Sequence, residues 1–187
     1  NYQNSFKSNG YYAVDAALNT VLSNPERANQ FEGGFKTSLI NGKINATVSY
    51  YDIKVKNSLL TAGYIGSIAI QSEAGELQSK GVELEVNAYL VKGFSLIGGI
   101  SYNDTRYTKM DEANKGLLNL RPNTSGSPWL ANFNASYQFV DGQLKGLGFG
   151  IGGNYASDNK IVNTAQGSFI LPKYFVMNAN AYYDTKK

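Results

Sequence analysis

Three glycines, Gly148, Gly150 and Gly153, stand in the stretch GLGFGIGGNY with the G-x-G-x-x-G spacing that binds a dinucleotide pyrophosphate in many enzymes. That chemistry needs a strand before the motif, a helix opening at its end, and an acidic residue about 20 positions further on. None of these is well formed here, and the apolar residues instead alternate strictly with small or polar ones. We therefore interpret the stretch as a strand whose bare face is covered by Tyr174 and Tyr182 of the following strand.

Glu83 and Glu85 are carboxylates two residues apart, and this spacing places both on one face of a strand, where a pair could perform acid–base chemistry. The chain contains no histidine and no cysteine, which excludes a His base, a Cys nucleophile, an imidazole or thiolate metal site and a disulfide. No other nucleophile is evident, so we interpret the two glutamates as part of a hydrated polar surface. No catalytic site, metal site or cofactor is expected, and the chain is not expected to be an enzyme.

The composition suits amphipathic strands better than a soluble globular domain. Charged residues make up 17% of the chain and aromatic residues 13%, whereas about a quarter of the residues in soluble domains are charged. No apolar run reaches the length of about 18 residues that a membrane helix requires. Strands of a membrane β-barrel contain no such run either, because their apolar and polar residues alternate. The net charge of +3 is small and no long basic block is present, so nucleic-acid binding is not expected.

Several segments alternate over about 9 to 11 residues, which is the length of a tilted transmembrane β-strand. They are residues 31–40, 44–53, 81–90, 94–104, 129–139, 147–155 and 174–183. Each segment has one face free of charge. The sequence therefore predicts an all-β fold, an antiparallel transmembrane β-barrel portion with about seven strands of a larger barrel.

The connections between these segments alternate in length. Residues 41–43, 92–93 and 141–146 are short, and 54–80, 105–128 and 156–173 are long. Asn41-Gly42 is a strong signal for a hairpin turn. Short turns on one rim and long loops on the other are typical of bacterial outer-membrane barrels, with the turns in the periplasm and the loops outside the cell.

Aromatic residues on the charge-free faces gather at both ends of the predicted strands, as in the girdles of membrane barrels. The loop end has Phe31, Tyr50, Tyr102, Trp129, Tyr155 and Phe175, and the turn end has Phe94, Phe139 and Tyr183. Asp52, Lys54 and Lys56 continue the lipid-facing parity beyond the girdle. We expect them either above the bilayer or past a β-bulge near Tyr50 and Tyr51.

The long loops contain the candidate ligand-binding residues. They are Tyr11, Tyr12, Tyr64, Arg106, Tyr107 and Arg121. Aromatic rings and guanidinium groups in loops could bind an anionic or aromatic ligand, although packing within the loops explains them equally well. Residues 14–22, VDAALNTVL, are predicted to form two helical turns in the first loop, ended by Asn24-Pro25.

Long stretches of the sequence follow one another in an order that is fairly specific in combination. They are NPERANQFEGGFK from Asn24, NGKINATVSYYDIKVKN from Asn41 and GELQSKGVELEVNAYL from Gly75, continued by LRPNTSGSPWLANFNASYQF, GLGFGIGGNYASDN and LPKYFVMNANAYYD. Together they resemble the C-terminal part of the barrel of TonB-dependent outer-membrane receptors, most nearly the siderophore-receptor branch. The opening NYQNSF resembles the end of a preceding strand in that family.

The resemblance implies an active importer of the Gram-negative cell outer membrane, with a barrel of about 22 strands and a plugged lumen. The implied partners are a ferric siderophore or similar nutrient, outer-membrane lipid, and TonB through an N-terminal region that this sequence does not contain. Residues 1–187 are expected to be part of a single receptor barrel domain, a fragment without the plug domain and the terminal strand.

Other functions stay open on the residues alone. Cobalamin or an oligosaccharide would suit many of the same loop side chains. A passive porin would have an open lumen and no coupling to TonB. A soluble carbohydrate-binding β-sandwich would need a second sheet packed on the first.

Overall fold

The computed structural model of the protein describes residues 1–8, 12–15, 17, 19–112, 114–164 and 167–185. The strands are Tyr2–Lys7 (β1), Tyr12–Val14 (β2), Thr20–Leu22 (β3), Glu26–Leu39 (β4), Ile44–Ile65 (β5), Ile68–Ala88 (β6), Phe94–Met110 (β7), Trp129–Gln138 (β8), Leu147–Ala156 (β9), Asn159–Thr164 (β10), Gly167–Leu171 (β11) and Tyr174–Tyr183 (β12). A short 3-10 helix, Lys115–Leu117, follows β7. Within the described ranges, no helix is long and apolar enough to cross a membrane.

Eight strands form one antiparallel sheet in the order β1-β4-β5-β6-β7-β8-β9-β12, and β2–β3 and β10–β11 are separate small hairpins. The seven predicted strands therefore pair sequentially, as expected, and β1 adds a further strand at the segment NYQNSF. Among the described residues, the buried apolar side chains are those of Ala88, Pro122 and Ala156. A sandwich would bury one whole face of the sheet in a dry core, so the β-sandwich alternative is wrong.

The register places the predicted lipid-facing residues side by side, because paired residues of antiparallel strands lie on the same face. One row crosses seven strands through Phe35, Val48, Leu84, Ile100, Ala131, Tyr155 and Phe175. The row contains no charged side chain, and Phe35, Leu84, Ile100 and Phe175 are exposed on the isolated sheet. This continuous apolar surface is the face that contacts lipid in a transmembrane barrel.

The two aromatic girdles form as the sequence predicts. At the loop end, Tyr102 and Trp129 are paired across β7 and β8 with ring centroids 4.7 Å apart. At the turn end, Phe94 pairs with Tyr137, whose ring meets that of Phe139 edge-to-face at 5.2 Å. Amphipathic rings at both ends of the apolar rows are suited to the two membrane interfaces.

The long connections are more ordered than the sequence predicts. Strands β5 and β6 stay paired up to Ile65 and Ile68, so residues 54–80 form the tall upper part of a hairpin. Pairing of β5 with both neighbours is uninterrupted from Ile44 to Val55, so the bulge expected near Tyr50 and Tyr51 is not there. The register shifts higher up, between Val55 and Ser58. Asp52, Lys54 and Lys56, which follow the girdle on β5, therefore lie beyond the apolar rows. This agrees with the alternative expectation, that they lie above the bilayer.

The helical turns expected for residues 14–22 are also wrong, because β2 and β3 form a hairpin there. The carboxylate of Asp15 accepts hydrogen bonds from the backbone N–H groups of Ala17 and Asn19, each at 2.9 Å. These bonds stabilise a turn in place of a continuing helix, a competition that Asp often decides this way. The β-branched residues Val14 and Thr20 on either side favour strands.

Candidate functional site

A cluster of polar side chains lies at the outer ends of β5, β6 and β7, on the face opposite the lipid-facing rows. We call it the rim cluster and define it as Tyr51, Ser79, Asn103, Thr105 and Arg121. The register brings its strand residues together, because Asn103 and Tyr51 both pair with Gly81, and Thr105 pairs with Ser79. The cluster therefore lies on the inner face of the barrel wall, just below the long loops.

The side-chain amide of Asn103 is the centre of the rim cluster. Its Nδ2 donates to the Tyr51 hydroxyl and to Ser79 Oγ, both at 2.7 Å. Its Oδ1 accepts from Thr105 Oγ1 at 2.7 Å, and the Ser79 and Thr105 hydroxyl oxygens lie 2.9 Å apart. A Cβ at Gly81 would overlap the Tyr51 ring, so glycine there lets the ring lie flat across β6. The network connects three strands and fixes the orientation of the Tyr51 phenol.

Arg121 reaches the rim cluster from the segment after β7. Its Nη1 donates to the Asn103 carbonyl at 2.8 Å, and its Nη2 donates to the Gly126 carbonyl at 2.8 Å. Burial lowers the pKa of this guanidinium from its usual value, and the nearby carboxylate of Asp104 opposes that change. An arginine keeps its proton in proteins. The site therefore contains a half-buried positive charge held against the barrel wall.

Arg106 and Tyr107 are neighbours on β7 and consequently lie on opposite faces of the sheet. Arg106 shares the outward face with Tyr102, and its Nε donates to Asp104 Oδ1 at 2.9 Å. This hydrogen bond, together with the charge of Asp104, raises the pKa of Arg106. Tyr107 lies on the inner parity, above Thr105, and burial raises the pKa of its phenol.

The structure brings together three of the candidate residues and separates another from them. The backbones of Arg106, Tyr107 and Arg121 lie side by side where β7 contacts residues 119–121, although the Arg106 and Tyr107 side chains leave opposite faces: the Tyr107 N–H donates to the Leu120 carbonyl at 3.2 Å, and Arg106 Nη1 donates to the Asn119 carbonyl at 3.3 Å. Tyr64 stands apart near the tip of the β5–β6 hairpin, where it is 70% exposed.

The other two candidates lie in the first loop. Tyr12 pairs with Leu22 in the β2–β3 hairpin, and its side chain is outside the described part of the structure. Tyr11 lies outside the described residues altogether.

Sequence reasoning missed the strand residues of the rim cluster. The available signal was their parity, because Tyr51, Ser79, Asn103 and Thr105 all lie on the inner parity at the loop end of successive strands. Residue type alone points to the loop aromatics and arginines, and it does not show which polar residues the register brings together.

The rim cluster offers hydroxyl and amide groups, which donate and accept hydrogen bonds, and one guanidinium, which can only donate. In the described ranges, no three His, Cys, Asp or Glu side chains converge in a way that could hold a metal ion. The arrangement is suited to recognising a polar or anionic ligand by hydrogen bonds and charge. The glutamates Glu83 and Glu85 lie lower on the inner wall, exposed and paired across β6–β7 with Ser101 and Gly99.

Comparison with known proteins places this architecture in one family. The family model for the TonB dependent receptor-like β-barrel matches residues 1–187. The metal-pseudopaline receptor CntO of Pseudomonas aeruginosa is 32% identical over 185 residues, which are 98% of this chain and 24% of that protein. The ferrichrome outer membrane transporter/phage receptor of Escherichia coli is 30% identical over 184 residues, 98% of this chain and 23% of that protein.

Solved structures show the same fold. The Pseudomonas aeruginosa receptor FpvA, in complex with a heterologous pyoverdine and iron, superposes with a TM-score of 0.75 at 18% identity, covering 99% of this chain and 24% of that one. BauA, the ferric preacinetobactin receptor of Acinetobacter baumannii, gives a TM-score of 0.75 at 21% identity, covering 100% of this chain and 27% of that one. The chain thus spans about a quarter of the length of the relatives it matches. It lies in the outer membrane of a Gram-negative bacterium and belongs to the TonB-dependent receptor β-barrel family.

Proposed function

We propose that the receptor containing this chain takes up a ferric siderophore through the outer membrane, with energy supplied through TonB. The observation that carries the proposal is about 30% identity, over nearly the whole chain, to receptors named for metal–pseudopaline and ferrichrome. A ferrioxamine B receptor of Salmonella typhimurium adds a further chelate, at 29% identity over 168 residues. These names share one ligand class, a metal held by an organic chelator.

The rim cluster supports this ligand class chemically. A ferric siderophore supplies the oxygen ligands of its own iron, so its receptor needs no protein ligand for the metal. What the receptor must recognise is the chelator, which is often anionic and aromatic. The half-buried guanidinium of Arg121 and the phenol of Tyr107 are suited to those two properties.

We keep Tyr11, Tyr12, Tyr64, Tyr107 and Arg121 as proposed ligand contacts. Tyr64, at the hairpin tip, is positioned for a first encounter, and Arg121 lies further in, at the wall. Arg106 is not among these proposed contacts, because it lies on the outward face, away from the lumen.

We further propose that residues 1–187 belong to one barrel domain with additional strands at both edges of the sheet. Within the described sheet, β1 pairs on one side only, with β4, and β12 pairs only with β9. Unpaired backbone N–H and C=O groups are costly inside a bilayer, which is why membrane sheets close into barrels. The isolated chain should consequently aggregate or need detergent.

The test uses the full-length receptor gene in its own bacterium under iron starvation. Growth is measured on a panel of purified ferric siderophores with the gene present, deleted, and restored as wild type or as Arg121→Ala. We expect deletion to abolish growth on one siderophore, and Arg121→Ala to weaken uptake of that siderophore. If every siderophore still supports growth while use of cobalamin or a glycan is lost, the siderophore assignment is wrong.

A second arm separates active import from a passive porin. Uptake of the radiolabelled ferric siderophore is measured in otherwise identical cells with and without TonB. Active import predicts that uptake stops without TonB, because the energy source is removed. Undiminished uptake would instead identify a passive pore.

A further inference from the structure

The side-chain amide of Asn103 can be oriented in only one way in the rim cluster. Arg121 approaches it with Nη1 2.8 Å from the Asn103 carbonyl oxygen and Nη2 3.4 Å from Oδ1. A guanidinium can only donate hydrogen bonds. If the amide were turned over, its N–H groups would face those of Arg121, and two donors would meet without an acceptor. The amide oxygen therefore faces Arg121, and the amide nitrogen faces Tyr51 and Ser79.

Three side chains of the rim cluster form a closed ring of hydrogen bonds, in which each proton is used once. Asn103 Nδ2 donates one proton to Ser79 Oγ, and Thr105 Oγ1 donates its only proton to Asn103 Oδ1, both at 2.7 Å. Because Thr105 has no second proton, the 2.9 Å contact between the two hydroxyls is a bond from Ser79 to Thr105. The ring therefore leaves one Nδ2 proton of Asn103 for a group outside it.

The remaining Nδ2 proton goes to the Tyr51 hydroxyl at 2.7 Å, so Tyr51 Oη is the acceptor in this contact. The phenol proton must point elsewhere, and in the described part of the chain no acceptor lies within hydrogen-bond distance of it. The phenol is held in place because it crosses Gly81, where a Cβ would overlap its Cζ and hydroxyl. Tyr51 lies on the inner parity of β5. Its O–H is therefore a donor that the cluster leaves available on the lumen side.

We propose that Tyr51 is a specificity-determining residue whose O–H donates to an anionic oxygen of the chelator, and that Asn103 is the positioning residue that fixes the direction of this bond. The inference rests on the proposed uptake of a ferric siderophore and names the ligand atom that the rim cluster takes. A phenol free to turn would serve donors and acceptors alike, whereas one that already accepts from Asn103 selects an acceptor. A charged acceptor gives the stronger bond, and the positive charge of Arg121 on the same amide adds to that preference.

The test uses the full-length receptor in detergent, with fluorine-labelled salicylate and its neutral amide, salicylamide, as probes. The two probes share one ring and differ in carrying a carboxylate or an amide. Affinity is measured by fluorine NMR titration of wild type and Tyr51→Phe. We expect wild type to bind salicylate more tightly than salicylamide. Tyr51→Phe should lose about tenfold in affinity for salicylate, because a hydrogen bond to a charged group is removed, and much less for salicylamide.

Asn103→Asp tests the direction of the bond. A carboxylate keeps the shape of the amide but cannot donate, so the Tyr51 O–H would turn to it and be lost to the ligand. We expect salicylate to bind about tenfold or more weakly. The double variant with Tyr51→Phe should lose little more than Asn103→Asp alone, because both changes remove the same bond. The matched controls are Tyr50→Phe, on the lipid-facing side of β5, and Asn132→Asp, on the inner parity of β8, and both should bind like wild type.

Equal binding of salicylate by wild type and Tyr51→Phe would overturn the proposal, as would equal losses for both probes or additive losses in the double variant. If Asn103→Asp fails to fold, as judged by the gel mobility of the barrel, Tyr51→Phe decides alone, because phenylalanine keeps the ring over Gly81. The titration reads binding without transport. A growth panel that refutes the siderophore assignment therefore leaves its result unchanged, and the two failures are distinguishable.

Discussion

The phenol ring of Tyr182 on β12 lies over Gly148 on β9, directly across the antiparallel pair. A Cβ at Gly148 would overlap the ring, so the two residues fit only because one of them is glycine. Gly150 is crossed in the same way by the Asn180 side chain. The glycine spacing of this stretch therefore reflects the two-residue period of a strand and the side chains that cover it, and not phosphate binding.

Replacing Gly148 should destabilise the barrel through this contact. In the full-length receptor, Gly148→Val must displace the Tyr182 ring, at a cost of about 1–3 kcal/mol for overpacking. The midpoint of urea unfolding in detergent, followed by the mobility shift of the folded barrel on gels, measures the change. Gly63→Val is the matched control, because a Cβ at Gly63, also in a strand, meets no atom within 4 Å. Equal losses of stability in the two variants would show that overlap with the Tyr182 ring is not the cause.

The Tyr102–Trp129 pair should contribute to stability at the membrane interface. Their ring centroids lie 4.7 Å apart, which is within the range of favourable aromatic pairs. A double-mutant cycle with Tyr102→Ala and Trp129→Ala should give a coupling free energy of about 0.5–1.5 kcal/mol. A second cycle, Tyr102→Ala with Tyr183→Ala, joins residues at opposite ends of the barrel wall and should give no coupling. Additive losses in the first cycle would contradict the prediction.

The membrane-spanning part of the fold could be predicted because its physical rule is simple. Alternation fixes which face each residue occupies, and a lipid-facing row tolerates no charge, so strand positions and register follow from the sequence. Strand length beyond the girdle could not be predicted this way. Above the membrane the strands are polar on both faces, as at Lys56, Asn57 and Ser58, and only backbone pairing with β6 shows that the ladder continues.

The candidate site was only partly predictable for a related reason. Arg121 could be singled out by residue type, but its position depends on a hydrogen bond to the Asn103 carbonyl, a residue far along the chain. In residues 14–22 the local apolar pattern favours a helix, but the Asp15 carboxylate stabilises a turn instead. In both places, hydrogen bonds from a side chain to the backbone determine the local structure, and hydrophobic periodicity does not predict such bonds.

Arg121 should hold residues 119–126 against the barrel wall. Its guanidinium joins the carbonyls of Asn103 and Gly126, so Arg121→Met removes both bonds while keeping much of the side-chain length. Loss of about 1–1.5 kcal/mol of local stability should speed amide exchange of Asn119 and neighbouring residues on the order of tenfold.

Hydrogen exchange read by mass spectrometry on the full-length receptor measures this change. Arg121→Lys is the matched variant: it keeps the charge but cannot reach both carbonyls at once, so it should give an intermediate rate. Exchange in the β8 strand should stay unchanged in both variants. Wild-type rates in Arg121→Met would show that the segment is held by other contacts.

Tyr107 should titrate at higher pH than an ordinary tyrosine, because burial raises the pKa of its phenol above the usual value of 10.0. The raised pKa determines how stability changes with pH. Below pH 10.0 the phenol is neutral both when residues 119–121 pack against it and when that segment has opened, so it adds no pH dependence to stability. As pH rises further, the opened form loses its proton first, and the stabilising contribution is lost as pH passes through the raised pKa.

The measurement is tyrosinate absorbance of the full-length receptor, taken as wild type minus Tyr107→Phe across pH 8 to 12, which isolates this one phenol among 14 tyrosines in the chain. Tyr107→Phe should fold normally, as judged by the mobility shift of the folded barrel. The difference curve should have its midpoint above 10.0, because the inner-face position of Tyr107 beside residues 119–121 disfavours the charged form. A midpoint at or below 10.0 would mean that the phenol is solvated and that Tyr107 is not packed against this segment of the rim.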